Sequence, residues 1–194
     1  MEQGGSNPAI SSIEKTFRDY IVHANSLVSE ESYKHASSCL EKLGFALDDV
    51  STFAGMISAE HFSNMANYWT AGLFISAAIN KVIKEDDITN LDFSALEGPA
   101  DCVGYRLEHG KIVLHGNAGD YIGESMSGGE IAIKRNAGYY VGYNMSGGRI
   151  TIRGNAGDHL GTYMSGGIID VKGKIGSISE SCRGRVCHRG MLVR

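Results

Sequence analysis

Cys182, Cys187 and His188 are the residues whose types and spacing best suit a metal. Thiolate sulfur and imidazole nitrogen are the ligands zinc takes in closed tetrahedral sites, so a Cys-x4-Cys-His cluster is zinc-like in kind. It is one ligand short, and only the fold can bring Cys102 or His159 to it. The opposing expectation is that both cysteines close the last turn of a repeat. The reading therefore assigns no metal and keeps the three residues as candidates. Arg183, Arg185 and Arg189 surround the cluster, with Arg194 beyond. They suit docking to an acidic surface, of a partner or of the chain's own first half, or they form a solvated terminus.

Other chemistry fits less well. Gly119-x-x-x-Gly123 is neither the dinucleotide fingerprint nor a P-loop, because no Gly-Lys-Ser/Thr follows it. Gly123-Glu124-Ser125-Met126-Ser127 falls short of the Gly-x-Ser-x-Gly nucleophile elbow. His23, His35 and His61 lie in helix-like segments, and no two are four apart, so no helical metal pair is expected.

The elements that must position these residues fall into two unlike halves. Residues 1–96 hold 5 of the 26 glycines and carry a net charge of −7; residues 97–194 hold 21 and carry +3. Neither half is basic enough to be read as a nucleic-acid binder. No apolar run reaches the ~20 residues of a membrane span. Residues 1–10 do not read as a signal peptide, and four cysteines are too sparse for a disulfide framework, so a cytoplasmic setting is expected.

The first half reads as helical. Ile13, Phe17, Tyr20, Ile21, Ala24 and Val28 recur at helical spacing, which predicts a helix starting near Ser12. A second helix is expected from Ser29 to Leu43, with Tyr33, Ala36, Leu40 and Leu43 inward and Gly44 as C-cap. A third begins after Ser58, with Phe62, Met65, Trp69, Leu73, Ser76 and Ile79 as its buried stripe.

The second half repeats every 19 residues. Asn-Ala-Gly occurs at Asn117–Gly119, Asn136–Gly138 and Asn155–Gly157. Met-Ser-Gly-Gly follows from Met126, Met145 and Met164, ending in Gly128 and Gly129, Gly147 and Gly148, Gly166 and Gly167. A further glycine stands between at Gly123, Gly142 and Gly161. Apolar columns run alongside, Ile112 to Ile169 and Leu114 to Val171, alternating with other residues as strands do. One repeat cannot bury such a set alone, whereas stacked coils can. Two or three short strands per coil are expected, with glycines at the corners. The Asn column is expected to tolerate the left-handed conformation and to bond along the stack. Glycines this frequent would dismantle a helical repeat.

The repeated Gly-Asn-Ala-Gly-x-x-x-Gly-x-x-Met-Ser-Gly-Gly-x-Ile-x-Ile, over about Leu91 to Lys174, resembles the GXGXG family. That family is represented by the β-helix subunit of formylmethanofuran dehydrogenase and by the C-terminal domain of the glutamate synthase large subunit. The resemblance implies a right-handed parallel β-helix that carries no cofactor and docks catalytic partners. The expectation is therefore an α+β chain: a flexible stretch over 1–11, an α-helical region over 12–88 and a β-helix of about five 19-residue coils over 89–194. Its expected role is a non-catalytic assembly subunit of a multi-subunit enzyme, with protein partners or self-association, and neither nucleic acid nor membrane. The alternative is a stand-alone metal-dependent or esterase-like hydrolase, with its site at the junction of the two halves or in the Cys/His tail.

Overall fold

The computed structural model describes residues 7–24, 29–56, 68–94 and 100–194. The side chain of His23, and Val28, His61, Phe62 and Met65, lie outside the described residues. Among the described residues, four helices precede a parallel β-solenoid of about five turns.

Helix α1, Pro8–Ala24, starts before Ser12 because Asn7 caps it: the Ala9 N–H donates to Asn7 Oδ1 at 3.0 Å, and Pro8 takes the first helical position, where no N–H is needed. Its stripe of Ile13, Phe17, Tyr20, Ile21 and Ala24 is buried as the spacing requires. Helix α2, Ser29–Leu40, stops short of Leu43. Gly44 does not enter the left-handed region and is no C-cap. Instead Lys81 donates to the carbonyl oxygens of Leu40, Glu41 (2.9 Å) and Leu43 (2.7 Å). A cation thus satisfies the orphan carbonyls at the negative end of the helix.

Helix α3, Leu47–Met56, is not announced by the sequence pattern. Its start is marked by Asp49, whose Oδ2 accepts the Ala46 N–H at 2.8 Å. Helix α4, Tyr68–Val82, differs from the one-sided stripe expected of it, for every residue from Ala71 to Ile79 is buried. It is the central helix, with α2 and α3 on one side and the first coil on the other. A helix apolar all round belongs inside a core. Phe17, Phe53 and Phe74 pack ring to ring, with centroids 5.1 to 6.0 Å apart.

Each coil contributes one regular strand. Strands β1 (Ile88–Asp92), β2 (Lys111–His115), β3 (Glu130–Ile133), β4 (Arg149–Ile152), β5 (Ile168–Val171) and β6 (Arg185–His188) pair in parallel, in chain order. Antiparallel β7 (Met191–Leu192) closes on β6. The second and third strands expected per coil are reduced to isolated bridges, such as Ala137 to Ala156 and Leu160 to Ile178. The reason is local. Positions such as Tyr121, Gly123, Ser125 and Gly129 all have positive φ, which breaks extended backbone into turns.

Register shows where the repeat departs from its period. Strands β2 to β5 step by 19. Ile88 pairs with Lys111, a step of 23, so the first coil carries a four-residue insertion. Ile168 pairs with Arg185, a step of 17, so the last coil is two residues short. The columns of Ile112, Leu114, Ile122 and Met126 are buried through the stack. Cys182 takes the methionine place in the last coil, with its Sγ 3.9 Å from Met164 Sδ.

Candidate functional site

The repeated residues are spent on stacking. Asn117 Oδ1 accepts from Asn136, Asn136 Oδ1 from the Asn155 N–H at 2.9 Å, and Asn155 Oδ1 from the Lys174 N–H at 2.8 Å. This ladder is the bonding expected of the Asn column. None of these asparagines is left-handed, so that part of the expectation is corrected: the side chain bonds the next coil while the backbone stays extended or right-handed. At Gly123, φ is +70° and an added Cβ would meet Ile150 Cδ1 at 2.6 Å. At Gly128 the constraint is approach alone, since a Cβ would overlap the Glu108 carbonyl oxygen of the preceding coil.

Three of the left-handed places that are not glycine form an aromatic ladder that no motif announced. Tyr121, Tyr140 and His159 have φ between 55° and 63° and stack ring on ring, with centroids 4.8 Å apart and planes 12° apart. Trp69 of α4 meets the end of the ladder edge-on at 4.8 Å. Only the 19-residue spacing of Tyr121, Tyr140 and His159 could have revealed it, and their mixed types hid it.

The fold does not assemble the Cys/His candidates. Cys182 points into the core and is 2% exposed, whereas Cys187 lies outward on β6, one place from buried Val186. His188 Nε2 is engaged by the Gly173 carbonyl at 2.8 Å. Among the described residues, no group of three or more His, Cys, Asp or Glu is placed to hold a metal ion. The arginines also divide. Arg183 turns back to the carbonyls of Glu180 and Cys182, at 2.9 and 3.1 Å, and Arg194 joins it on the same two carbonyls. Arg185 stands exposed on the sheet, and Arg189 follows β6 with φ of 53°.

The richest polar chemistry lies where α2 and α4 meet the first two coils. Gly72 lets α4 touch the Asp101 carbonyl, where any Cβ would overlap. One turn later the Ser76 hydroxyl shares its proton between the backbone oxygens of Gly72 and Cys102, 2.7 and 3.0 Å away, and accepts from Gly104 N–H at 3.0 Å. Asn80 Nδ2 reaches both the Tyr33 hydroxyl and the Tyr105 carbonyl at 2.9 Å. Beneath this contact the Cys102 thiol faces Glu124 Oε2 at 3.8 Å, and Asp101 Oδ1 accepts the Asp120 N–H at 2.8 Å. Burial pushes the Cys102 thiol well above its ordinary range, and Glu124 adds to the shift. Burial likewise raises the Glu124 carboxyl and lifts that of Asp101 to about 6. The Cys102 side chain is fully buried and packs with Leu73 and Tyr105.

Two hollows of about 270 Å³ flank Tyr33 and Asn80. One is lined also by Ile83, Arg106, Glu108 and His109. His109 Nε2 donates to the Ile83 carbonyl at 2.9 Å. Arg106 is held by Glu30 at 3.3 Å. No family model, curated protein or solved structure matches the chain. Among the described residues, no helix is long and apolar enough to cross a membrane.

Proposed function

We propose that the chain is a non-catalytic assembly module that docks the catalytic subunits of a larger enzyme. This is the role the β-helix parts of formylmethanofuran dehydrogenase and glutamate synthase play. The observation that carries the reading is the use of the repeat: the Asn ladder, the close glycines and the Ile and Met columns all bond one coil to the next. A repeat built this way makes a rigid rod with free flanks. Rigid flanks suit docking, because little is lost in ordering them. Four unpaired cysteines agree with a reducing, cytoplasmic setting. Purification from the native source under mild salt, followed by mass measurement of the intact particle, tests it. The expected result is a stoichiometric complex with a larger polypeptide. Recovery of the chain alone and monomeric would sink the reading.

A second reading has one observation in its favour, the junction hollow with Arg106, Glu108 and His109 on its wall. It would make the chain a hydrolase. A screen against activated esters, with and without added zinc, is the test: turnover lost in His109→Ala but kept in His159→Ala would support it.

A further inference from the structure

The outer face of the sheet carries no repeated motif, yet cations recur along it from coil to coil. In β2 to β5 alternate residues are buried aliphatics, as is Val186 of β6, so those between them lie on the opposite face of the sheet, where Val113 of β2 is itself buried. The outward residues form three columns along the stack. One holds Lys111, Arg149 and Arg185, with Glu130 paired to Lys111 at 2.9 Å and Ile168 standing between the two arginines. Another begins at His115 in β2 and continues, just past the later strands, through the four cations Lys134, Arg153, Lys172 and Arg189. Each of these four donates its backbone N–H to the preceding coil, at 2.9 or 3.0 Å, which keeps the column in register. The floor between the two, Val113, Ala132, Thr151, Asp170 and Cys187, is mostly small residues, and Asp170 is paired to Lys172 at 2.7 Å. Over β2 to β6 seven cations therefore share this face with two carboxylates, each ion-paired, while Asp92 stands at the β1 end, in a chain whose net charge is −4.

We propose that this face docks an acidic α-helix of a partner protein, laid along the stack axis with its carboxylates over the two cation columns. The columns are four residues apart along each strand, about 13 Å, which brackets a helix about 10–12 Å across. From β2 to β6 the columns run four steps of about 4.8 Å, about 19 Å, or roughly 13 helical residues. Carboxylates recurring once per 5.4 Å turn drift from the 4.8 Å ladder by only roughly 2 Å over that length, within the reach of Lys and Arg side chains. The small floor at Ala132 and Thr151 lets the helix approach. A nucleic acid suits the face less. Single strands bind on aromatic platforms, and this floor has no ring, while Tyr121 and Tyr140 lie on another corner. The inference deepens the assembly reading and rests on it only in taking the partner to be a protein.

The test is fluorescence anisotropy with the full chain and a labelled helical peptide of about 13 residues carrying Glu once per turn. Three comparison arms are run: the same composition broken by proline, a single-stranded oligonucleotide of equal charge, and K15E/K42E as a control remote from the face. The helical peptide is expected to bind, and to bind less as salt rises from about 0.05 to 0.5 M. The K134E/R153E/K172E variant should weaken it at least about tenfold, and K134Q/R153Q/K172Q at least about threefold. K15E/K42E should change nothing. The neutral variant keeps the test open should the reversed one fail to fold.

Equal affinity in a folded triple variant would overturn the proposal. So would tighter binding of the oligonucleotide, or equal binding of the proline-broken peptide. Self-association seen by light scattering and abolished by the triple variant would assign the face to a second copy instead. A native complex that survives the triple variant would remove this surface and leave the assembly reading standing. A chain recovered alone would remove the assembly reading itself.

Discussion

The second and third full coils and the first coil use the same backbone path for different ends. In the interior coils each residue answers to its equivalent 19 positions away: Ile131 to Ile150, Met126 to Met145, Asn136 to Asn155. In the first coil the partners lie far away in sequence. Asp101 and Cys102 touch Gly72 and Ser76, and Asn80 reaches Tyr105. A stack needs only nearest-neighbour terms to persist. An end needs a cover, because it exposes an apolar cross-section and a row of unpaired backbone groups. The helices supply that cover: α3 packs on β1 and α4 lies along the first coil. The difference teaches that repetition makes the rod and the breaks in repetition make the contacts.

Substitutions can break or sharpen that contrast. The largest effect is expected at the junction. In Gly72→Ala the new Cβ must displace the Asp101 backbone, so a loss of about 3 kcal/mol or more is expected in denaturant unfolding. Gly44→Ala, with open space around the site, should stay within about 0.5 kcal/mol. Equal effects would mean that the helix–coil contact is not tight. Within the stack, Met145→Ala leaves a hole between two coils and should cost about 2–5 kcal/mol. Cys182→Ala, at the same place in the shortened last coil, removes a single sulfur and should cost about 1 kcal/mol. Thermal unfolding of both would show whether interior and terminal coils melt as one unit.

Lys81→Met keeps most of the side-chain volume and removes the cation that closes α2. About 1–2 kcal/mol should be lost, with amide exchange accelerated over residues 38 to 43 before the solenoid responds. The smallest effect is electrostatic. The folded Asp101 carboxyl holds its proton up to about pH 6, above the usual value near 4, so the folded state binds more protons than the unfolded one between those values. Stability from this group is therefore present at the acid end and lost as pH rises through about 6. Asp101→Asn keeps the acceptor for Asp120 N–H and removes the charge, so it should stabilise the protein at pH 7–8 by on the order of 1 kcal/mol, after allowance for partial exposure, and do nothing near pH 4. A stabilisation that does not vanish at pH 4 would point to packing instead.

Much of the architecture was legible because it is periodic. The 19-residue recurrence of Asn117, Gly123 and Met126 names the coil, and alternation at Ile112 and Leu114 names the inward face. The helical stripe of α1 was legible for the same reason. Helix α3 was not, because Ser51, Thr52 and Gly55 blur its short apolar stripe of Val50, Phe53 and Ala54. The role of Lys81 was not, because its partners lie some 40 residues earlier. Cys182 and Cys187 looked like a metal pair because five positions apart says nothing of which face each takes. Cys182 takes the buried methionine place before β6, while Cys187 falls on the outward alternation of the strand.

The sequence by itself determined the coil, its length and its core, since a repeat compares each residue with its own copy and needs no knowledge of the rest of the chain. Only the tertiary structure decided what meets at the first coil and which charges share the outer sheet face. Lys134, Arg153 and Lys172 are scattered cations along the chain, and they become a column only because parallel pairing sets equivalent positions about 4.8 Å apart.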